Sequence, residues 1–180
     1  MRKNIALSLL TALLFAAPAH AEEVKITNQL IQAQNNEMEE VLTTRDPKKT
    51  INFLHSHIDD AAIYQIQVNN PYLPNNKQHH EMNMNKEAYI KTFIDGLHYV
   101  DSYDVEITTE NIEISSNGQA ALAKQVMTEE GVMLNPHNLS DTGIPFVSKT
   151  TCQIYYTINE GHIQSNKAKC STQTSQTNDA

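Results

Sequence analysis

The sequence is short of basic residues. It has 13 Lys and Arg against 21 Asp and Glu among 180 residues, which gives a formal net charge of -8. Binding to nucleic acid or to an anionic membrane surface depends on clustered Lys and Arg, so we expect neither partner. The acidic residues are scattered along the chain, and this favours a solvated surface over an acidic docking site.

The sequence also lacks a hydrophobic run that crosses a bilayer comfortably, since that takes about 20 residues. The apolar run 5–17 follows Arg2 and Lys3 and precedes Ala19-His20-Ala21. A basic start, a short apolar run and an A-x-A site are typical of a cleavable export signal. We predict a signal peptide over 1–21 and a periplasmic or secreted mature protein without stable membrane insertion. An uncleaved N-terminal anchor is the alternative.

Only two cysteines are present, Cys152 and Cys170, and they lack the C-x-x-C spacing of redox-active pairs. They flank two strand-like segments, 152–158 and 163–170, that are joined by turn residues. A two-residue turn would place Cys152 opposite Lys169, whereas a one-residue change in the loop or a bulge would bring the cysteines directly opposite each other. In an oxidising compartment we predict a structural disulfide between them.

The remaining chain has the length of one domain. Without its first 21 residues it has 159, enough to bury a hydrophobic core. We predict a single domain over 22–171 and a disordered polar tail over 172–180. Apolar residues at helical spacing predict three amphipathic helices. These cover 27–42, 47–58 with Asp46 as N-cap, and a segment that begins near Asn83 or Asn85 and ends near Gly96.

Alternating apolar and polar residues predict the strands. They cover 62–68, 103–114, 119–128, 146–158 and 162–170. The apolar parity changes between Ile107 and Ile112, so we expect a bulge there and a curved sheet. Asn117-Gly118 is a strong hairpin signal. Residues 69–78 are predicted as a loop, and 129–145 as a long connection of the kind that is often functional.

This order of elements resembles the nuclear transport factor 2-like superfamily and, within it, the SnoaL-like proteins. Segments 46–64 and 83–93 resemble the family's second helix with its following strand, and its third helix. Segments 104–123 and 155–163 resemble its first and last long hairpins. The resemblance implies a cone-shaped α+β fold, in which a curved antiparallel sheet packs on three helices and leaves a cavity. Whether 129–145 covers this cavity as a lid stays open.

The implied cavity suggests binding rather than a particular reaction, since one fold serves many functions. Tyr64, Phe93, Tyr103 and Tyr156 have inward parity, and together with His98 they are the candidate ligand-binding residues. We interpret the protein as a non-catalytic carrier of a small apolar molecule, or as part of a protein assembly, without a cofactor. The resemblance also implies a homodimer formed through the outer face of the sheet.

Two other functions are possible. In the first, the protein is a SnoaL-like isomerase or hydratase with His98 as general base. Family enzymes place an Asp or His in the cavity, but the predicted last strand offers no carboxylate. In the second, His79, His80, Met82 and Met84 bind copper through imidazole and thioether groups. Against this, adjacent histidines in a loop usually cannot both bind one ion, and a solvated loop is the simpler interpretation.

Overall fold

The computed structural model describes residues 24–71, 78–134 and 143–176. The predicted signal peptide lies outside them. The elements in chain order are α1 (Asn28–Thr43), α2 (Pro47–His57), β1 (Ile58–Asn69), β2 (His79–Asn85), α3 (Lys86–Leu97), β3 (Val100–Ile114), β4 (Ala120–Met133), β5 (Ile144–Asn159) and β6 (His162–Gln176). Within the described residues, no helix is long and apolar enough to cross a membrane.

Each helix begins where a polar side chain accepts hydrogen bonds from the free N–H groups of the first turn. Thr27 caps α1, and Asp46 caps α2, where Pro47 occupies the first helical position. Asn85 caps α3 by accepting from the backbone N–H of Ala88 at 2.9 Å. The three predicted helices are therefore confirmed, with Asn85 as the start of the third.

The six described strands form one curved, mixed sheet in the order β2-β1-β6-β5-β4-β3. All neighbours are antiparallel except β1 and β6, which are parallel. The sequence predicts a curved antiparallel sheet, and the sheet is antiparallel apart from this one pair. Parallel neighbours need a crossover connection, which here is the whole chain segment between β1 and β6.

Bulges lie where the sheet bends. The β3–β4 register shifts between Thr109 and Asn111, as the change of apolar parity predicts. The β5–β6 register shifts between Tyr155 and Tyr156. An extra residue on one strand bends the pair and increases its twist, so these irregularities help the sheet to curve around the helices.

Three segments differ from their predictions. Residues 79–85 form edge strand β2 rather than a solvated loop, because the whole segment pairs with β1. Strand β4 continues to residue 133, and β5 begins at residue 144. Most of the described part of the predicted 129–145 connection is therefore paired strand, and residues 135–142 lie outside the described residues. The predicted tail is wrong for 172–176, since β6 pairs there with β5, and with β1 as far as Gln173.

The buried core lies between the helices and the concave face of the sheet. One cluster joins α2 and α3 to β1 and β6, and a second joins Leu42 of α1 and Leu97 of α3 to β3. A third cluster surrounds Ile31 near the β3–β4 hairpin. The space between these clusters is not filled by side chains, and it is the candidate site.

Candidate functional site

A cavity of about 480 Å³ lies between the concave face of the sheet and helices α1 and α3. Every strand contributes to its wall. The lining residues are Met38, Tyr64, Ile66, Asn70, Met82, Met84, Tyr89, Thr92, Phe93, Gly96, Leu97, Tyr99, Val100, Tyr103, Ile107, Gln125, Met127, Glu129, Met133, Phe146, Ser148, Thr150, Cys152, Ile154, Ala168, Cys170, Thr172 and Thr174. The wall is mostly apolar, as in typical small-molecule sites.

Methionine is concentrated in this wall. All five methionines of the described chain line the cavity: Met38, Met82, Met84, Met127 and Met133. They come from α1, β2 and β4. Methionine is unbranched and polarizable, and it adapts to irregular apolar shapes. The wall can therefore adjust to occupants of different shape.

Three aromatic rings pack in series along one side. Tyr64 of β1 stacks on Tyr89 of α3 with centroids 4.4 Å apart, and Tyr89 lies 6.1 Å from Phe93. The Tyr64 hydroxyl contacts Oγ of Ser165 at 2.5 Å, and Ser165 donates to the backbone carbonyl of His57. Burial raises the pKa of Tyr64 to about 12. The phenol is therefore neutral near pH 7 and holds the strand against α2.

Glu129 is the one carboxyl group in the described wall. Its Oε1 accepts a hydrogen bond from the hydroxyl of Tyr103, and the Ser148 hydroxyl also stabilises its charged form. Burial outweighs both contacts and raises the pKa of Glu129. Burial and the nearby Glu129 also raise the pKa of Tyr103. This pair is a polar group with a perturbed pKa inside an apolar cavity, a combination that often marks functional sites.

A second polar group closes the wall on the α1 side. The Gln125 side-chain amide donates to Oδ1 of Asn35 at 3.0 Å and to the Tyr156 hydroxyl at 3.1 Å. Asn35 donates in turn to Thr109 at 2.8 Å. These buried side chains satisfy one another, so they fix α1 across the sheet rather than offering free groups to a ligand.

The structure brings together three of the five predicted ligand-binding residues. Tyr64, Phe93 and Tyr103 line the cavity. Tyr156 is buried beside it in the third core cluster and bonds to Gln125 instead. His98 follows the last residue of α3 and is exposed, outside the described lining. The interpretation of His98 as a cavity base is therefore corrected: Leu97, and not His98, turns into the core.

The structure does not bring all four predicted copper ligands to one face of the strand. Because side chains alternate along β2, His80, Met82 and Met84 share one face of the strand, whereas His79 lies on the other. Met82 and Met84 line the cavity. No group of three or more His, Cys, Asp or Glu residues in the described chain could hold a metal ion.

The predicted disulfide between Cys152 and Cys170 is confirmed. The turn at Glu160-Gly161 has two residues, and an extra residue of β6, Asn166, shifts the register by the one residue that pairs the cysteines. The disulfide joins β5 to β6, and both cysteines line the cavity. It therefore fixes the cavity wall as well as the hairpin.

Sequence reasoning missed Glu129 because 129–145 was predicted as a connection. The signal was present in the parity of β4, since Ala121, Ala123, Gln125, Met127 and Glu129 alternate onto the concave face. Extending the predicted strand by one residue would have placed the carboxylate of Glu129 in the cavity. The carboxylate comes from β4 and not from the last strand, whose residues include none.

The backbone is similar to several solved structures at low sequence identity. A hexachlorocyclohexane dehydrochlorinase (LinA type 2) superposes with a TM-score of 0.59 and 10% identity over 84% of this chain and 89% of that one. A putative scytalone dehydratase from Novosphingobium aromaticivorans gives 0.57 and 11% over 84% and 88%. A ketosteroid isomerase-like protein from Erwinia carotovora gives 0.51 and 12% over 84% and 97%.

These similarities establish the fold. The chain has the nuclear transport factor 2-like α+β cone, as the order of its elements predicts. No protein-family model matches the sequence, and no curated protein matches it at a significant level.

Proposed function

We propose that the protein binds a small, largely apolar molecule inside the cone. The observation that carries this proposal is the apolar cavity of about 480 Å³. Cavities of roughly 300 to 1,000 Å³ are typical of small-molecule sites. Transfer of apolar surface from water into such a site is favourable by about 25 cal/mol per Å², so a ligand that fills this space gains affinity mainly from burial.

The composition of the wall supports a binding role. Five methionines can repack around different apolar shapes, while the disulfide holds β5 and β6 in place behind them. A wall that is adjustable in its side chains and fixed in its backbone suits a carrier better than a site for one reaction.

We also propose that the protein acts outside the cytoplasm. The predicted signal over 1–21 and the disulfide support export, because disulfides persist in oxidising compartments. Intact mass spectrometry of protein purified from cells checks both features. Processing before Glu22, with both cysteines oxidised, is expected. Retention of 1–21 together with free thiols would contradict export.

Blocking the cavity tests the binding proposal. Gly96 lies on α3 in the cavity wall, and a Cβ built there meets no atom within 4 Å. A Gly96→Phe substitution places its ring in open space, whereas the matched control Gly96→Ala adds only a methyl group. Isothermal titration calorimetry with 4-phenylbutan-1-ol should show binding to wild type and Gly96→Ala, and a loss of about tenfold or more in Gly96→Phe.

Circular dichroism and thermal unfolding show that each variant is folded. No binding of the alcohol to wild type would contradict the proposal. So would wild-type affinity in a folded Gly96→Phe variant whose ring contacts the methionine methyl groups by NMR, because the ligand would then lie elsewhere.

Catalysis is a second candidate, favoured by the Glu129–Tyr103 pair. Two structurally similar proteins are named a dehydratase and a dehydrochlorinase, and eliminations of this kind need a base that removes a proton from carbon. A carboxylate whose pKa is raised by burial is a stronger base once ionised. Tyr103 donates to it and lies beside the space a substrate would fill.

Hydrogen exchange tests this candidate without a known substrate. We expect an enzyme to accelerate α-proton exchange of a bound ketone, such as 4-phenylbutan-2-one, in D₂O, and we expect Glu129→Gln to abolish the acceleration. The neighbouring, exposed Glu130→Gln is the control. A ketone that binds but exchanges no faster than in buffer would contradict catalysis by Glu129 and leave the binding proposal standing.

A further inference from the structure

The cavity carries charge of one sign only. Among its described lining residues, Glu129 is the one Asp, Glu, Lys, Arg or His. An ionised Glu129 therefore has no cationic side chain beside it in the described wall. Isolated charges are costly to bury, and they are normally paired.

The carboxyl group is held in place by donors but is not saturated. Tyr103 donates to Oε1, and Ser148 stabilises the charged form. A carboxylate offers about four acceptor positions, so two donors leave positions for a ligand. Glu129 is half-buried and belongs to the cavity wall, so a group inside the cavity can reach it.

The surrounding wall suits a cation. The stacked rings of Tyr64, Tyr89 and Phe93 line the same cavity, and aromatic faces attract ammonium groups. Burial raises the pKa of the Tyr89 hydroxyl, and the nearby Glu129 adds to this shift. A ligand with a carboxylate or a phosphate would instead place its own negative charge beside Glu129 without a compensating cation.

We propose that the ligand is an amine whose apolar body fills the cavity and whose ammonium group binds the carboxylate of Glu129. This inference rests on the proposed binding function and names the chemical class of its ligand. A buried ion pair is favourable only when further hydrogen bonds satisfy its charges. Here Tyr103 and Ser148 supply them to the carboxylate.

Proton release follows from this arrangement. In the empty cavity burial favours protonated Glu129, whereas an ammonium group favours its ionised form. Where Glu129 is protonated in the empty cavity, binding of an ammonium group therefore expels that proton, and affinity rises with pH until Glu129 is ionised. Tyr103 and Tyr89 face the carboxyl from β3 and α3, and both phenols stay neutral because their pKa values are raised. Binding of a neutral alcohol has no such pH dependence.

Three probes with one skeleton test the inference: 4-phenylbutylamine, 4-phenylbutan-1-ol and 4-phenylbutanoate. At about pH 8 we expect wild type to bind the amine about tenfold more tightly than the alcohol, as a charge-assisted hydrogen bond implies, and the carboxylate most weakly. Glu129→Gln should reduce the advantage of the amine to about threefold or less. Glu130→Gln, which changes an exposed carboxylate of the same strand, should preserve it.

Calorimetry in buffers of different ionisation enthalpy supplies a second readout on wild type alone. Across a pH series we expect a range in which the amine releases protons and the alcohol releases none, and this result stands even if Glu129→Gln fails to fold. Equal affinity for amine and alcohol, or an amine preference that survives Glu129→Gln, would overturn the amine assignment and leave the binding proposal intact. If none of the probes binds, the proposed function itself fails.

Discussion

Among individual residues, Glu129 couples the site to stability. Its pKa is raised from 4.5 because burial disfavours the carboxylate, although Tyr103 and Ser148 partly oppose this. Between the unfolded and the folded pKa, the folded protein therefore holds a proton that the unfolded chain has released. This contribution to stability is complete below the unfolded pKa, and it is lost as pH rises through the folded pKa.

Glu129→Gln removes this dependence. We predict that the variant is more stable than wild type at about pH 7 and that the difference shrinks toward about pH 4, where the native carboxyl is protonated. Urea unfolding across this range measures both proteins, and Glu130→Gln controls for loss of a surface charge. A difference that is independent of pH would contradict the burial of Glu129 as a titrating group.

The side of the sheet or helix on which a residue lies was predictable wherever its strand or helix was itself predicted from the sequence. Tyr64, Phe93 and Tyr103 lie in the cavity because their parity within β1, α3 and β3 was readable from sequence. Tyr156 faces the same side, but Gln125 and Asn35 fill the space in front of its hydroxyl. That outcome depends on three elements meeting, which no local pattern encodes.

Among helices and strands, the β5–β6 hairpin joins several local features. Glu160 and Gly161 both have positive φ, at 50° and 80°, as a tight two-residue turn between right-twisted strands requires. The bulge at Asn166 then sets the register that pairs Cys152 with Cys170. The two-residue turn and the bulge therefore together determine the register in which the disulfide can form.

The double substitution Cys152→Ala and Cys170→Ala tests what the disulfide contributes. It closes a loop with a sequence separation of 18, and on the chain-entropy argument its loss costs about 3 kcal/mol of unfolding free energy. Urea denaturation of the purified variant measures the loss, and wild type with its disulfide intact is the reference. An unchanged unfolding free energy would contradict a stabilising role.

Strands without alternating apolar residues were not predictable from the sequence. Strand β2 is made of His, Glu, Met and Asn, and the last part of β6 of Ser, Thr and Gln. Both are strands because neighbours supply hydrogen-bond partners: β1 for one, β1 and β5 for the other. Strand formation depends strongly on such context, whereas N-caps such as Asp46 and Asn85 are local and were readable.

The fold of the whole molecule was predictable from the order of its elements. The outer face of its sheet leads to a further prediction. Ile63 and Tyr155 are 47% and 45% exposed, and each alternates away from the concave face of the sheet. Exposed apolar residues of this kind are consistent with the dimer that the resemblance implies.

Charges introduced on that face should separate such a dimer. We predict that wild type has the mass of two chains in solution and that Ile63→Glu with Tyr155→Glu halves it, as measured by light scattering after gel filtration. Ile114→Glu, at an exposed apolar residue at the end of β3, is the control. A monomeric wild type would contradict dimerisation through this surface.

Ligand binding by this protein requires a cavity that admits an apolar molecule. The methyl groups of the methionines in the cavity wall report on such binding directly. All five methionines of the described chain line that space. In protein labelled with ¹³C at the methionine methyl groups, NMR titration with 4-phenylbutan-1-ol should shift or broaden these signals in a saturable manner in wild type, and Gly96→Phe should need about tenfold more alcohol or more for the same change. Methyl signals that stay unchanged while the alcohol is added to wild type would contradict a ligand-binding cavity.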